Sequence, residues 1–395
     1  MKNFPLRHGI FMAPYHMIDE NPTVMFRRDL ELVQWLDTLG FEEAWFGEHH
    51  SSGFETIGSP ELMIAAVAEI TKSIRLGTGV ISLPFHNPLM VANRIIQLDH
   101  MTRGRVMFGA GPGLLPTDAS MLGIDIQKQR DMMATALDII IRLFKGEKVT
   151  ATSSWFSLQD ARVHILPYSF PHPHIAVASA YTPSGGMLAG KHGLGMLCVA
   201  ATDSSGFDAL GTNWQIANEV AEQNGHVMEA RSLRLVGSMH IAETRELARS
   251  NVQYGLERWC EYYSKVAPKG VSMLVGRDPV DALIESGRAI IGTPADAIAQ
   301  IERLQKKQGE FGVFLTQCND WADWEQTKKS FELYARFVMP HFSGVNRIRR
   351  ESYQSLSEDL AATDQLRQFA VDGAFERWNA HKIQADTAPP PAGAS

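Results

Sequence analysis

The sequence predicts a (β/α)8 TIM barrel with insertions and a C-terminal helical extension. Short apolar runs alternate with helix-periodic segments eight times over residues 1–342, as strands do when each is followed by a crossover helix. A capping residue followed by proline opens several of the helical segments, as Asn21-Pro22, Ser59-Pro60 and Asn87-Pro88 do. The run Glu43-Ala44-Trp45-Phe46-Gly47 stops on Glu48, His49 and His50. Titratable groups therefore gather at a strand's carboxyl end, the face on which a parallel barrel carries its chemistry.

Residues 6–12 read as the first strand, and Phe26, Leu30, Val33 and Leu36 recur at helical spacing until Gly40 ends the helix. Residues 43–46 are the second strand, followed by a helix to Ile70. Residues 74–80 are the third, followed by a helix ending near Thr102. The fourth strand, 105–109, leads to an apolar helix over 131–144 closed by Gly146. Residues 148–173, rich in Ser, Pro and aromatics, read as an inserted excursion. The period resumes with strands at 174–179, 195–200 and 233–241 and helices at 184–192 and 208–222. Residues 244–289 mix helix with Gly and Pro, Gly292-Thr293-Pro294 caps a helix through Leu304, and residues 311–316 are the eighth strand. Residues 343–395 form the extension, helical from Gln354 to Trp378, with a disordered tail at Ala388-Pro389-Pro390-Pro391. It reads equally as a surface for a partner subunit or as a peripheral helix.

With 395 residues, 45% hydrophobic and 21% charged, the chain can bury a large core. A net charge of -7 without basic clusters interleaved with aromatics excludes a nucleic-acid partner. No apolar run reaches membrane-spanning length and the N-terminus lacks the apolar core of a signal peptide, so no membrane association and a cytoplasmic location are expected. Cys198, Cys260 and Cys318 are scattered, which points to neither a disulfide framework nor a zinc site. The glycines of Phe108-Gly109-Ala110-Gly111-Pro112-Gly113 match part of a dinucleotide fingerprint, but Leu114-Leu115-Pro116 opens no helix in this reading and the Rossmann assignment is set aside. Glycines after a strand still permit close backbone approach to a ligand.

Gly47-Glu48-His49-His50, Arg75-Leu76-Gly77-Thr78-Gly79, Leu83-Pro84, Leu98-Asp99-His100-Met101-Thr102-Arg103-Gly104-Arg105-Val106, Gly109-Ala110-Gly111, Ala178-Ser179-Ala180 and Ile291-Gly292-Thr293-Pro294 occur in order. Together they resemble the bacterial luciferase-like family of flavin-dependent monooxygenases, and within it the terpene- and ketone-oxygenating branch. The resemblance implies a barrel that uses reduced FMN, delivered by a separate NAD(P)H-consuming flavin reductase. It also implies dioxygen held as a flavin peroxide to oxygenate a small hydrophobic molecule. A homodimer or a heterodimer of such subunits is implied by resemblance alone. The flavin would meet Thr78, Gly79 and Val80, where the family sometimes has a non-prolyl cis peptide, and Gly109, Ala110 and Gly111 would lie beside its ring. Its phosphate would sit by Ser179, Ala180 and Ser184. Where luciferase carries a Cys-Arg pair after its fourth strand, this chain has Gly111-Pro112. The phosphate charge must then be met otherwise, with Arg130 a candidate and a plain surface arginine the alternative.

His49 matches the family's catalytic histidine, since an imidazole can donate or accept a proton near neutral pH. Strand alternation puts Glu48 and His50 on the opposite side. A rival reading makes His49 and His50 metal ligands with His86, His172 or His174, although those lie on other segments; no metal is expected. His16 is either a pocket residue or a loop residue. Met12, Phe54 and Phe85 would line an adaptable apolar pocket, or else pack the core. Residues 266–287 are a candidate lid or an ordinary insertion. A deazaflavin oxidoreductase, a non-enzymatic flavin-binding protein and a metal-dependent hydrolase are the other functions considered on this barrel.

Overall fold

The computed structural model describes residues 4–13, 15–266 and 277–387. The chain divides into two compact units, Met1–Ser343 and Gly344–Ser395.

The first unit begins with β1 (Arg7–Met12), α1 (Pro22–Leu39), β2 (Glu43–Phe46), α2 (Pro60–Ala68), β3 (Arg75–Thr78) and the short β4 (Ile81–Ser82). It continues with α3 (Pro88–Met101), β5 (Val106–Gly111), α4 (Pro116–Met121) and α5 (Gln129–Phe144). Next come β6 (Val149–Thr152), β7 (Ser157–Ala161), β8 (His174–Ser179), α6 (Ser184–His192), β9 (Gly195–Cys198) and α7 (Ser204–Gln223). The remainder is β10 (Leu233–Ile241), α8 (Arg245–Val252), α9 (Leu256–Val266), α10 (Pro279–Glu285), β11 (Ala289–Gly292), α11 (Pro294–Gln308) and β12 (Val313–Cys318). A helix over Trp324–Leu333 then runs through a π turn, Tyr334–Val338, to Ser343.

β1, β2, β3, β5, β8, β9, β10 and β12 pair in that order, every pair parallel, and β12 returns to β1 to close the barrel. The eight barrel strands all lie on segments that the apolar pattern marks. Asn21 and Asn87 accept the amides of Thr23 and Leu89, so the two Asn-Pro signals act as helix caps.

Side-chain alternation sorts each strand into two layers. Phe11, Trp45, Met107, Ala176, Leu197, Val236, Val313 and Leu315 fill the barrel. Ile10, Met12, Phe46, Leu76, Phe108, Val177 and Phe314 face the helices. Among the inner residues, Glu43 is fully buried and bonded by Arg234 Nε at 2.6 Å, Arg7 at 2.8 Å and Trp45 Nε1 at 2.9 Å. A buried carboxylate persists only when partnered in this way.

Three expectations change. A helix does open at Pro116, because proline at its first position and Asp118 in its first turn are ordinary start signals. The stretch before Gly292 holds a strand: β10 is nine residues long, its last four pair with β11, and three of these lie beyond its pairing with β12. The excursion carries an antiparallel hairpin, β6 with β7, and a cis Phe170–Pro171 bond. Of the candidate lid, residues 267–276 lie outside the described residues. α10, within the same segment, is not loose: Val280 and Leu283 join Trp259, Tyr262, Tyr15 and Trp321 in a second core.

The second unit contains helices Arg347–Glu358 and Leu360–Thr387, so helix extends beyond Gln354 and Trp378 on both sides. The proline tail lies outside the described residues.

Candidate active site

The site is built at the carboxyl ends of the strands. On β2, Glu43 and Trp45 point into the barrel, and His49 continues that alternation beyond the strand. Its Nε2 lies 2.8 Å from Glu55 and its Nδ1 3.2 Å from Asp118. Burial opposes a charge on this ring. The field of Glu55 and hydrogen bonds to both carboxylates outweigh it, and the pKa rises to about 10. Asp118 also accepts the His50 amide at 3.1 Å and the Ser51 hydroxyl at 2.5 Å, so one carboxylate from α4 fastens the whole loop after β2.

Glu48 turns the other way. It accepts the Ser82 amide at 2.6 Å and lies 2.6 Å from His86 Nε2 and 3.0 Å from His50 Nε2. Burial works against its charge, but these partners hold its pKa down at about 2. This carboxylate ties the ends of β2 and β4 together, and His50 joins that bracing rather than the barrel mouth.

His49 and His50 thus belong to two separate carboxylate networks. His174 stands at the amino end of β8 against Arg234, at 2.9 Å, and His172 bonds the Pro173 carbonyl at 2.8 Å. Among the described residues no cluster of three or more His, Cys, Asp or Glu could hold a metal ion.

On β3 and β5, the next strands round the barrel from β2, the wall is made of small residues. A Cβ at Gly109 would run into the Thr78 carbonyl, and one at Gly111 would meet Val80. At either position a larger residue would push the strands apart. The Gly79–Val80 peptide is cis, at the position where the family resemblance places such a bond. The Thr78 hydroxyl is spent within the sheet, donating to the Gly109 carbonyl at 3.0 Å and accepting its amide at 2.8 Å. Ala110 faces the helices. Val80, Ala13 and Val199 pack on top of the inner core and are only partly buried, so they form the floor of the mouth.

At the end of β8, Ser179 is buried beneath Asn213, whose Nδ2 lies 3.4 Å from both the Ser179 hydroxyl and the Ala180 carbonyl. α6 begins at Ser184 with no side chain capping its first amides, and the Thr182 and Ser184 hydroxyls stand 2.9 Å apart. Uncapped helix amides beside two hydroxyls suit an anion such as a phosphate. Arg130 is exposed in the first turn of α5.

The four candidate pocket residues do not come together. Met12 lies in the outer layer, because Phe11 takes the inward position beside it. His16 is locked between Asp320 at 2.8 Å and Asp29 at 3.1 Å. Phe54 stacks on Tyr15 with ring centres 5.6 Å apart and packs on Tyr262 at 5.2 Å, forming a roof with the second core. Phe85 lies 5.9 Å from the His50 ring. Glu55, Asp118 and Thr182 are the site residues that sequence reasoning missed. The start signal at Pro116 could have found Asp118, whereas nothing local marks Glu55.

A closed parallel barrel with a partnered histidine and a glycine-lined wall at its carboxyl face defines a class of barrel enzyme. The chain belongs to the luciferase-like monooxygenase family, whose profile matches residues 6–309. It is 44% identical over 375 residues to limonene 1,2-monooxygenase of Rhodococcus erythropolis, covering 95% of this chain and 96% of that one. It is 43% identical over 359 residues to 4-hydroxyprotoasukamycin monooxygenase of Streptomyces nodosus subsp. asukaensis, covering 90% and 97%. The fold matches the oxygenating constituent of 3,6-diketocamphane monooxygenase from Pseudomonas putida, solved with FMN, with a TM-score of 0.70 at 24% identity over 85% of this chain and 99% of that one.

Proposed function

We propose that this protein is the oxygenating component of a two-component FMN-dependent monooxygenase. It would take reduced FMN from a separate NAD(P)H-consuming reductase and add one atom of dioxygen to a small, mainly apolar organic molecule. The observation that carries this reading is the juxtaposition of a flat small-residue wall, Gly109, Gly111 and Ala178 beside cis Gly79–Val80, with a histidine held between two carboxylates. The names of the limonene and 4-hydroxyprotoasukamycin relatives, both monooxygenases, and the FMN in the diketocamphane structure support it.

The residues fit a flavin mononucleotide. Gly109 and Gly111 let β5 pack closely on Thr78 and Val80, where a Cβ would push the cis Gly79–Val80 segment out of place, and the uncapped amides of α6 with Thr182 and Ser184 would receive the flavin phosphate. Arg130, exposed at the start of α5, would have to reach across to add charge there. When bound in reduced form the flavin supplies the electrons that activate dioxygen.

The protein's own part is positional and electrostatic. His49 is a cation at neutral pH, raised to about 10 against the cost of burial, so it can hold developing negative charge and keep a proton at Nε2 or Nδ1 rather than abstract one. Asp118 fixes its ring plane through Nδ1. Glu55, 2.8 Å from Nε2, is the ion-pair partner that must give way to any ligand using that nitrogen. Val80, Val199 and the Phe54–Tyr15–Tyr262 roof keep water from the mouth.

Titrating the purified chain with photoreduced and with oxidised FMN, followed by labelled dioxygen and a cyclic terpene or ketone, tests the reading. Preferential binding of reduced FMN and one labelled oxygen atom in the product are expected. Failure to bind FMN in either state would overturn it.

A further inference from the structure

The amino-terminal face of the barrel, at the far end from the mouth, carries both a protruding aromatic side chain and a recess fit to hold one. The protrusion lies in the excursion before β8. Ile165, Leu166, Tyr168 and Phe170 are all exposed there, and Phe170 is 99% exposed. The segment is firmly fastened. Ser169 donates its amide at 2.7 Å and its hydroxyl at 2.9 Å to Asp99, a fully buried carboxylate near the end of α3. The Leu166 carbonyl stands 2.9 Å from His100 Nε2, and the Tyr168 ring packs edge-on against the His100 ring, with centres 5.8 Å apart. Buried polar bonds thus hold the neighbours of Phe170 in place and keep its ring in water. A group of exposed apolar side chains marks an interaction surface, and one fixed in advance loses little entropy on binding.

The recess has a volume of about 200 Å³ and is lined by Phe4, Leu6, Gln305, Gly309, Glu310 and Phe311. Leu6 and Phe311 are buried and Phe4 is half-buried, so apolar side chains form much of its wall. An apolar cavity of about 150 Å³ accepts benzene, and this one has room for a phenyl ring. Strand order places the two features. Leu6 precedes β1 and Phe311 precedes β12, so the recess lies at the amino ends of these neighbouring strands. The protrusion lies at the amino ends of β5 and β8: Tyr168 and Ser169 press on Gly104, just before β5, and His174 opens β8. In the closed ring of eight barrel strands these two pairs are four strands apart, which puts them on opposite sides of one face. A two-fold axis lying in that face, across the line that joins them, turns a second copy so that each Phe170 meets the other copy's recess. Such a self-complementary contact closes after two chains.

We propose that the amino-terminal face of the barrel binds a second copy of this chain, with Phe170 of each copy seated between Phe4, Leu6 and Phe311 of the other. The area suffices. Phe170 and the exposed part of Tyr168 offer roughly 250–400 Å² per copy. Counted on both copies, together with the walls they cover, the contact hides roughly 1,000–1,600 Å², the range of a specific interface. Both carboxyl-end mouths face outward in this pair and stay open. The proposal concerns a different face from the candidate active site and does not depend on the monooxygenase reading.

Sedimentation equilibrium of the full chain over a range of concentrations tests the contact. Wild type should show an association step that Phe170→Asp weakens by ~30-fold or more, and the exposure of Phe170 means that this change spares the core. Phe4→Ala, which removes one wall of the recess, should weaken the same step. Oxidation of the double variant Phe170→Cys/Gln305→Cys should link chains into closed pairs in far higher yield than either single variant, a readout that holds whether or not Phe170→Asp folds. No association in wild type, or an association unmoved by Phe170→Asp, would overturn the proposal and assign Phe170 to another partner. A ladder of linked chains in place of pairs would overturn the two-fold arrangement.

Discussion

Replacing Glu55 with glutamine tests whether His49 is held as a cation. The imidazole stands 2.8 Å from Glu55 through Nε2 and 3.2 Å from Asp118 through Nδ1. Burial disfavours the charged ring, yet the two carboxylates raise its pKa to about 10. A charge-assisted hydrogen bond contributes ~1.5–3 kcal/mol, and a tenfold change in proton affinity is about 1.4 kcal/mol. Glu55→Gln should therefore lower the His49 pKa by ~1–2. Because the folded pKa lies above the unfolded value of 6.5, the interaction stabilises the fold fully below pH 6.5 and is lost as pH rises through about 10. The difference in unfolding free energy between wild type and variant should accordingly be largest below pH 6.5 and shrink toward pH 10. Histidine-selective NMR titration, with His49 assigned through His49→Asn, measures the pKa directly, and urea unfolding across the same range measures the linkage. A wild-type His49 that titrates near 6.5, or one unmoved by Glu55→Gln, would refute the reasoning.

Three further outcomes can be checked. Asp118→Asn leaves the His49 ring, the His50 amide and Ser51 with a weaker acceptor, and should cost ~1–3 kcal/mol in urea unfolding; no loss would mean the loop after β2 is fixed by other contacts. Glu48→Gln should cost ~1.5–3 kcal/mol at pH 7. Since the folded pKa is depressed to about 2 from 4.5, that difference should persist above pH 4.5 and vanish as pH falls through about 2, read as unfolding midpoints at several pH values. Gly109→Ala drives a methyl into the Thr78 carbonyl, and a loss of ~1–3 kcal/mol or more is expected; a melting temperature equal to wild type would show that the strands can part without cost.

Much of the fold was legible in the sequence because barrel strands and helices are specified locally. The eight strands follow apolar runs, and Asn21 and Asn87 cap their helices as the Asn-Pro pairs suggest. What was misread depends on partners distant in the chain. β11 is a strand because β10 outruns the barrel and offers it an edge. The helix at Pro116 is only six residues long, too short for periodicity to reveal. Met12 and Phe11 differ by one position, and only the closed barrel decides which of them faces inward.

The sequence by itself determined the alternation of strand and helix, the placement of His49 at a strand end, the separation of Glu48 and His50 from it, and the glycines at 109 and 111. Each follows from local periodicity or from the lack of a side chain. Only the tertiary structure decided what those groups can do. His49 is charged because Asp118, 69 residues further along, closes on Nδ1 while Glu55 folds back on Nε2. Glu43 keeps its buried charge because Arg7 and Arg234, the latter 191 residues away, converge on it. Proton affinity and hydrogen-bond direction are properties of neighbours in space, and closing the barrel is what makes these residues neighbours.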